Sequence, residues 1–566
     1  MPNTVPKRKR LGELLIDGGL ITPGQLQNAL QEQKRTGEKL GQILVNLGYI
    51  TEETLGEFLG NLLGVPYVNL ENYVLDPRVV NLIPENIART YQLVAIAGTN
   101  TTLTAAMADP LNVFATDEVR RRTGLKVDTV VSIPSVIKKV IDQYYGASVS
   151  AEEVIKGIDL ESVAVGEEIK PEQLQRIAEE TPVIKLVNLI IMQAIRDRAS
   201  DIHIEPAGDT LRIRFRIDGV LHEVMNLPPR LHPAVVSRLK IMANLDIAEK
   251  RIPQDGRMEM KVTSREVDLR VAILPTIFGE KVALRVLDKS SALLSLEELG
   301  MSSATLNQFV SLIANPYGII LVTGPTGSGK TTTLYAAINK INTVEKNIIT
   351  IEDPVEYKLK NINQIQVNPR AGITYANALR SVLRQDPDII MVGEIRDRDT
   401  ADIAIHAALT GHLVFSTLHT NDSSGALARL LDMGVEPFLI ASPLIGVLAQ
   451  RLVRFNCSRC KESYEPAAEI LQSVGMASFP GKITFSRGKG CGECKGTGYR
   501  GRTGIFELLS MNNQLREQVV NRVPQDTIRR AAISAGMMVL RENGLLKVQQ
   551  GVTTVEEVLR VTQAID

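Results

Sequence analysis

The chain has 566 residues, with 64 Lys plus Arg balanced by 64 Asp plus Glu, so its formal net charge is zero. Charged residues make up 23% and hydrophobic ones 44%, a globular mixture that excludes a disordered or collagen-like chain, while the neutral balance argues against coating nucleic acid through bulk positive charge. No run approaches the roughly 18 consecutive apolar residues of a membrane-spanning helix, the basic opening has no apolar core behind it and is not a secretory signal, and four cysteines do not make a disulfide scaffold in so long a chain.

What remains is a soluble, cytoplasmic protein of roughly three to four domains. Its first feature is a tandem repeat at an offset of 29 residues, 10–33 against 39–62. Leu11-Gly12 recurs as Leu40-Gly41, Gly19 as Gly48, Ile21-Thr22 as Ile50-Thr51, Leu26 as Leu55 and Leu30 as Leu59. Each copy predicts a short helix, a Gly stop, a Thr cap and a second helix. The leucines are expected to be core. Residues 63–145 alternate β-like runs, such as 93–97 and 127–131, with helices. Residues 151–180 carry nine acids against three bases and predict a solvated, mobile linker, with an acidic binding tail as the alternative.

An amphipathic helix is predicted over 182–198, with Ile184, Val187, Ile191 and Ile195 on one face. Strands follow at 201–205 and 211–217, the second closed by an Asp218-Gly219 hairpin turn. There Leu211, Ile213, Phe215 and Ile217 face one way and Arg212, Arg214 and Arg216 the other. More strands are expected near 257–263, 266–274 and 281–287, giving an α+β domain. From about 295, strand–helix alternation predicts a mostly parallel sheet covered by helices. Beyond 500 the chain is expected to be mostly helical.

The apolar run 319–323 leads into Gly324, Pro325, Thr326, Gly327, Ser328, Gly329, Lys330 and Thr331, then Thr332 and a helical stretch. This is a complete G-x-x-x-x-G-K-[ST] element in strand–loop–helix context. The glycines let backbone N–H groups close around phosphate oxygens, and the helix amino terminus adds a favourable dipole. Lys330 is expected on the β- and γ-phosphates of ATP, and Thr331 on Mg2+. Downstream, acids bracket the apolar strand from Asp388 to Glu394, and Glu352, Asp353 and Glu356 gather where the strand 348–351 stops. Pro354 is expected to end that strand and aim its acids outward. Carboxylates beside a P-loop can orient water or polarise a metal shell. His412 and His419 bracket a further apolar strand, and either a structural role or a γ-phosphate contact is open to them.

Cys457-x-x-Cys460 and Cys491-x-x-Cys494 use all four cysteines. Four thiolates in tetrahedral array favour a structural Zn2+ site. A redox dithiol and unliganded thiols remain as alternatives.

The P-loop, the acidic Glu352–Glu356 box, the Asp388–Glu394 strand and the His412–His419 box, in that order, resemble the secretion ATPase superfamily (the GspE/PilB family). Its members drive type II secretion and type IV pilus extension or retraction, and the likeness covers about 180–566. It implies a RecA-like P-loop domain preceded by a PAS-like α+β domain, with ATP held between them in a homo-hexamer. It implies that Glu394 is the Mg2+-site glutamate, Glu356 the general base and His419 the γ-phosphate contact. Arg270 and Arg285 resemble arginines that close onto the phosphates from the other domain. Arg380, Arg384 and Arg396 resemble further phosphate or interface arginines. The tetracysteine element resembles the extension and secretion branch rather than the retraction branch. Details near 446–454 and 551–562 lean toward type II secretion over pilus assembly.

The tandem repeat resembles the cyclic di-GMP-binding, MshE-like domain at the front of some of these ATPases. Arg10, Leu11, Gly12, Leu26, Leu30 and Gln33 match in the first copy, whereas the second has Lys39 and Leu62 in place of the Arg and Gln. The alternative role is docking to a membrane-bound partner. The expected division is 1–145 docking or cyclic di-GMP domain, 146–180 linker, 181–292 α+β domain, 293–450 ATPase core, 451–504 zinc subdomain and 505–566 helical region. The implied partners are an inner-membrane platform protein and a membrane-anchored docking protein, reached by peripheral association with the inner membrane, and no nucleic acid. A ring helicase or DNA translocase is the rival of another class, and a cyclic-dinucleotide sensor with an inactive ATPase a third.

Overall fold

The computed structural model describes residues 11–71, 73–145, 175, 176, 178, 181–262, 265–288, 294–474 and 484–562. The predicted linker, apart from three of its residues, and Arg10 lie outside that set. The chain divides into two compact units, Met1–Ser290 and Ser291–Asp566. Among the described residues no helix is long and apolar enough to cross a membrane.

In the first unit the tandem repeat forms the helices its pattern predicts, but its repeated leucines, expected as core, are only half-buried and Leu30 is exposed. Helices Leu11–Asp17 and Pro23–Thr36 form one copy, and Leu40–Asn46 and Glu52–Leu63 the other. The hydroxyls of Thr22 and Thr51 cap the second helix of each copy, accepting from the N–H groups of Gln25 and Thr54. The recurrent Leu-Gly has a packing cause. A Cβ at Gly12 would run into the Leu26 methyls, and one at Gly41 would lie 2.9 Å from Leu55 Cδ2, so glycine at both places spares these leucines a shift.

A three-stranded sheet follows, made of Leu93–Gly98, Thr102–Met107 and Lys126–Val131. The same region sends Tyr73–Val74 to pair in parallel with Gln254–Val262, so the expected 1–145 domain completes the sheet of the next one. That seven-stranded sheet runs in the order Tyr73–Val74, Gln254–Val262, Arg265–Thr276, Gly279–Asp288, Ala199–Pro206, Leu211–Ile217, Val220–Leu227. Asp218 and Gly219 have φ of 49° and 86°, the two positive values a type I′ hairpin requires. Leu211, Ile213 and Phe215 are fully buried, while Arg212, Arg214 and Arg216 pair outward with Glu205 and Asp201. The amphipathic helix is Thr181–Arg196. It stops two residues short of the predicted end because Arg198 takes the left-handed conformation, φ 55°. Its buried face is also wider than the predicted stripe, adding Val183, Leu186, Ile190 and Ala194.

In the second unit the sheet order is Asn363–Gln366, Ile348–Glu352, Ile389–Val392, Leu413–Leu418, Gly318–Thr323, Leu444–Asn456, Tyr499–Ser510. Every pairing is parallel except the last. Both faces are covered. Ile319, Leu321, Ile390, Val392 and Val414 enter one core, and Ile320, Val322, Ile389, Met391, Leu413 and Phe415 the other. Strands buried on both sides read as continuous apolar runs, which is why the sequence shows runs here rather than alternation. The last two strands in that order have 13 and 12 residues. Leu444–Ala449 pairs with the P-loop strand, and the rest projects as a two-stranded arm. The expected boundaries at 450/451 and 504/505 therefore fall inside continuous strands. Beyond 510 the described residues form four helices.

Candidate nucleotide site and cysteine cluster

Strand direction fixes what gathers at the carboxyl edge of the second sheet, where open α/β sheets bind ligands. The strand Gly318–Thr323 delivers the P-loop, and the helix Lys330–Ile341 leaves it. The neighbouring strand Leu413–Leu418 delivers His419, and the next, Ile389–Val392, delivers Glu394. Gly324 has φ 147°, and a Cβ there would lie 2.5 Å from the Gln450 carbonyl. The loop thus seats directly on the strand Leu444–Asn456. Gln450 is 2% exposed, and its Oε1 accepts from the Thr333 hydroxyl at 2.6 Å, tying the P-loop helix to that strand.

Lys330 Nζ donates to the carbonyls of Gly324 at 2.8 Å and Pro325 at 3.1 Å. Burial pulls its pKa down to about 8, with Glu394 opposing and Arg451 reinforcing. Thr326, Gly327 and Thr331 are exposed and Thr332 half-buried, whereas Ser328 is buried with its Oγ lacking any hydrogen-bond partner. An orphaned hydroxyl beneath a glycine cradle fits a phosphate-binding loop. The exposed Thr331 hydroxyl could ligate the metal that accompanies the nucleotide. Glu394 is largely buried, contacts Arg396, and lies 3.3 Å from His419 Nε2.

The acidic box divides. Glu352 turns inward, 3% exposed, and accepts from Tyr335 Oη, from Thr350 Oγ1 at 2.5 Å and from Gln364 Nε2 at 3.0 Å. The expectation that Pro354 aims these acids outward thus holds for the exposed Asp353 and not for Glu352, which closes its own strand's inner face. Glu356 is half-buried, and its backbone N–H donates to Tyr335 Oη at 3.3 Å. Tyr335, buried on the P-loop helix, therefore joins both ends of the box. Burial and then Glu352 push its phenol pKa up.

Two expected site residues stand elsewhere. Asp388 precedes its strand, accepts from the Asn347 N–H at 2.6 Å, and lies on the opposite edge from Glu394, about 20 Å along the chain direction. His412 likewise precedes its strand, with Nδ1 2.8 Å from the Ala407 carbonyl, about 23 Å from His419. In a parallel sheet only the residue after each strand reaches the P-loop edge, so bracketing a strand separates two residues rather than uniting them. Arg380 is engaged by Asp399 at 2.6 and 2.8 Å, and Arg384 is exposed with Ser381 Oγ at 3.4 Å. In the first unit, Arg270 and Arg285 are cross-strand partners, with Arg257 opposite Arg270 and Asp201 opposite Arg285. They form an arginine row across the outer sheet face.

At the tip of the edge arm, Cys457, Cys460, Cys491 and Cys494 bring their Sγ atoms within 4.8 Å of one another. Three of the separations are 3.9, 3.8 and 3.7 Å. A tetrahedron with about 2.3 Å metal–sulfur bonds has edges of about 3.8 Å, so the cluster could hold Zn2+. The N–H groups of Cys491 and Gly498 donate to Cys494 Sγ at 3.1 and 3.3 Å. In the tandem repeat, Leu11, Gly12 and Leu26 pack together, Leu30 is exposed, and Gln33 Nε2 donates to the Glu38 carbonyl at 3.0 Å.

Sequence reasoning missed Gln450, Tyr335 and Arg451. The available signal was weak: a single polar residue closing the apolar run before Arg451, and an aromatic one turn into the P-loop helix.

The strand, glycine cradle and half-buried lysine define a P-loop nucleotide-binding protein. Residues 176–560 match the model of the type II/IV secretion system protein family, and the chain belongs to that family. With the P-loop intact, this membership makes it an ATP-hydrolysing enzyme. Residues 63–151 match the MshEN domain, a span that begins just after the tandem repeat. The type IV pilus assembly ATPase PilB of Myxococcus xanthus is 46% identical over 557 residues, covering 97% of this chain and 98% of that protein. The type II secretion system protein E of Xanthomonas campestris pv. campestris is 43% identical over 562 residues, covering 98% of each. Both pathways are supported and neither is favoured, so the lean toward type II secretion is not upheld. The solved structure of the ATPase DotB of Legionella pneumophila shares the fold, with TM-score 0.50 and 20% identity, covering 66% of this chain and 94% of that one.

Proposed function

We propose that this chain is the cytoplasmic motor of a type II secretion or type IV pilus machine. As a homo-hexamer on the inner membrane, it would use ATP hydrolysis to move pilin-like subunits through a platform protein. The observation that carries the reading is the meeting of Lys330, Glu394, His419 and Arg396 at the P-loop edge. In this reading Lys330 grips the β- and γ-phosphates, Glu394 orients the metal's water shell, and His419 touches the γ-phosphate. Glu356 takes the proton of the attacking water. Thr331 would hold Mg2+, which would supply positive charge against the charge developing on the phosphates. Arg270 and Arg285 supply mobile positive charge that gates transfer, and Arg380 and Arg384 serve contacts between subunits. The cysteine cluster holds one structural Zn2+, supported by its sulfur spacing.

The amino-terminal region is assigned to docking on a membrane-anchored partner, with cyclic di-GMP as a candidate regulator. The test of the motor reading is turnover. Glu394→Gln and Glu356→Gln should bind ATP yet hydrolyse it about 100-fold more slowly or worse; normal rates in both would refute it. Complementation of pilus-deficient and secretion-deficient strains decides the pathway.

A further inference from the structure

Tyr375 has no part in the reading above, yet its hydroxyl stands among the proposed catalytic acids. It opens the helix Tyr375–Val382, which Thr374 caps by accepting from the Asn377 N–H at 3.3 Å. That helix lies against the strands Ile348–Glu352 and Ile389–Val392, and the half-buried Tyr375 ring packs against their core. A Cβ at Gly393 would lie 3.0 Å from Tyr375 Oη, 3.2 Å from the Ile351 carbonyl oxygen and 3.5 Å from Glu352 Cα. The phenol oxygen therefore rests on bare backbone where two neighbouring strands stop, and glycine at 393 leaves it that room. One of those strands runs on into Glu394, the other into Asp353 and Glu356.

Among the described residues the hydroxyl makes no hydrogen bond. Burial first, then the carboxylates of Glu394 and Asp353, push its pKa up, with Arg396 opposing. The phenol thus stays protonated at neutral pH, and both its donor and its acceptor capacity are uncommitted. Phenylalanine would fill the same space against the core, so packing alone does not account for the oxygen. The P-loop lies on the other side of Glu394, two strands over. A γ-phosphate gripped there turns its free side toward the acidic box, and a water attacking in line stands on that side.

We propose that Tyr375 is a further catalytic residue, its hydroxyl hydrogen-bonded to the water that attacks the γ-phosphate. This deepens the hydrolysis reading and rests on it. In the step itself the water oxygen bonds to the γ-phosphorus as the bond to the β-phosphate oxygen breaks. The water's proton goes to Glu356 and ADP leaves. The phenol keeps its own proton throughout and holds the water oxygen in line.

The experiment is Tyr375→Phe in the full chain, with circular dichroism and melting temperature as checks on the fold. The single-turnover rate of ATP hydrolysis should fall about tenfold, the scale of one lost hydrogen bond, while the Kd for ATP stays within about twofold. ADP–aluminium fluoride, which places an oxygen where the attacking water stands, should bind about tenfold more weakly, and ADP alone as before. Tyr375→Leu, which still fills the core, should show the same split and is the second probe if Tyr375→Phe fails to fold. A wild-type hydrolysis rate, or equal weakening of ATP and of ADP–aluminium fluoride, would overturn the proposal. Normal turnover in Glu394→Gln and Glu356→Gln would sink the hydrolysis reading and this inference with it. Slow turnover in those two beside full speed in Tyr375→Phe would sink this inference alone.

Discussion

Burial brings the Lys330 ammonium from an ordinary 10.5 down to about 8, and this gives nucleotide binding a pH dependence of definite sign. A polyphosphate raises the lysine's pKa, so the bound state holds the proton more tightly than the free state. Below pH 8 both states are protonated and affinity is flat. Above it, binding takes up a proton, and affinity should fall by up to about tenfold per pH unit. Calorimetry of Mg–ATP binding in buffers of different ionisation heat should show uptake rising from near zero at pH 7 toward one proton above pH 9; a flat profile would remove Lys330 from the phosphate contact. Tyr335 offers a second test. Its hydroxyl joins Glu352 to the Glu356 N–H, while its ring is 1% exposed and packs edge-on against Tyr357 at 6.2 Å. Tyr335→Phe keeps the ring and removes the tie. Glu356 should then be less well placed, with kcat reduced about tenfold and KM for ATP little changed. A loss of about 1–3 kcal/mol in stability should accompany it, and unchanged kcat would show that the tie does not position the glutamate.

At the scale of elements, the strand Leu444–Asn456 links the two sites of the second unit. Its start pairs with the P-loop strand, its middle supplies Gln450, and its end leads into Cys457. Asn456 Nδ2 donates to the carbonyls of Ser486, Gly551 and Thr553 at 2.9, 3.1 and 3.2 Å, and Arg454 pairs at 2.7 Å with Glu557, which is 1% exposed. Metal in the cluster should therefore stabilise the arm and the terminal helices it holds. Elemental analysis should find about one zinc per chain, and Cys457→Ser or a strong chelator should remove it and lower the melting temperature. Reduced, metal-free protein melting at the same temperature would argue against the site. The P-loop, the capped tandem helices and the C-x-x-C pairs were legible because each is a local pattern with a local cause. Gln450 was not, because its value lies in what packs on it from 117 residues away. Asp388 and His412 were misplaced because sequence proximity to a strand does not say which sheet edge a residue reaches. Glu352 and Asp353 are adjacent, and only the pleat sends one inward and the other out.

For the molecule as a whole, the proposed chemistry is divided between its two units. The P-loop, Glu394 and His419 belong to the second, while Arg270 and Arg285 sit in the arginine row of the first. Binding and turnover should therefore come apart under mutation. The P-loop carries its own cradle and lysine, so removing an arginine from the first unit leaves most of the ground-state contact with ATP intact. Phosphoryl transfer spreads negative charge over the equatorial oxygens, and in the proposed reading Arg270 and Arg285 act on that charge rather than on the bound ground state. Arg285→Ala and Arg270→Ala should then lower kcat by up to about 1000-fold, the range of arginines supplied to a phosphoryl transition state, while the Kd for ATP changes by less than about tenfold. Lys330→Ala should show the opposite order, losing affinity first. Arg285 makes a long 3.5 Å contact with Asp201, so a structural role is separable: Asp201→Asn would mimic Arg285→Ala if the pair only holds the sheet, and would spare turnover if the arginine acts on phosphate. Equal losses of kcat and of ATP affinity in the arginine variants would put them in the binding contact and end the division of labour between the units.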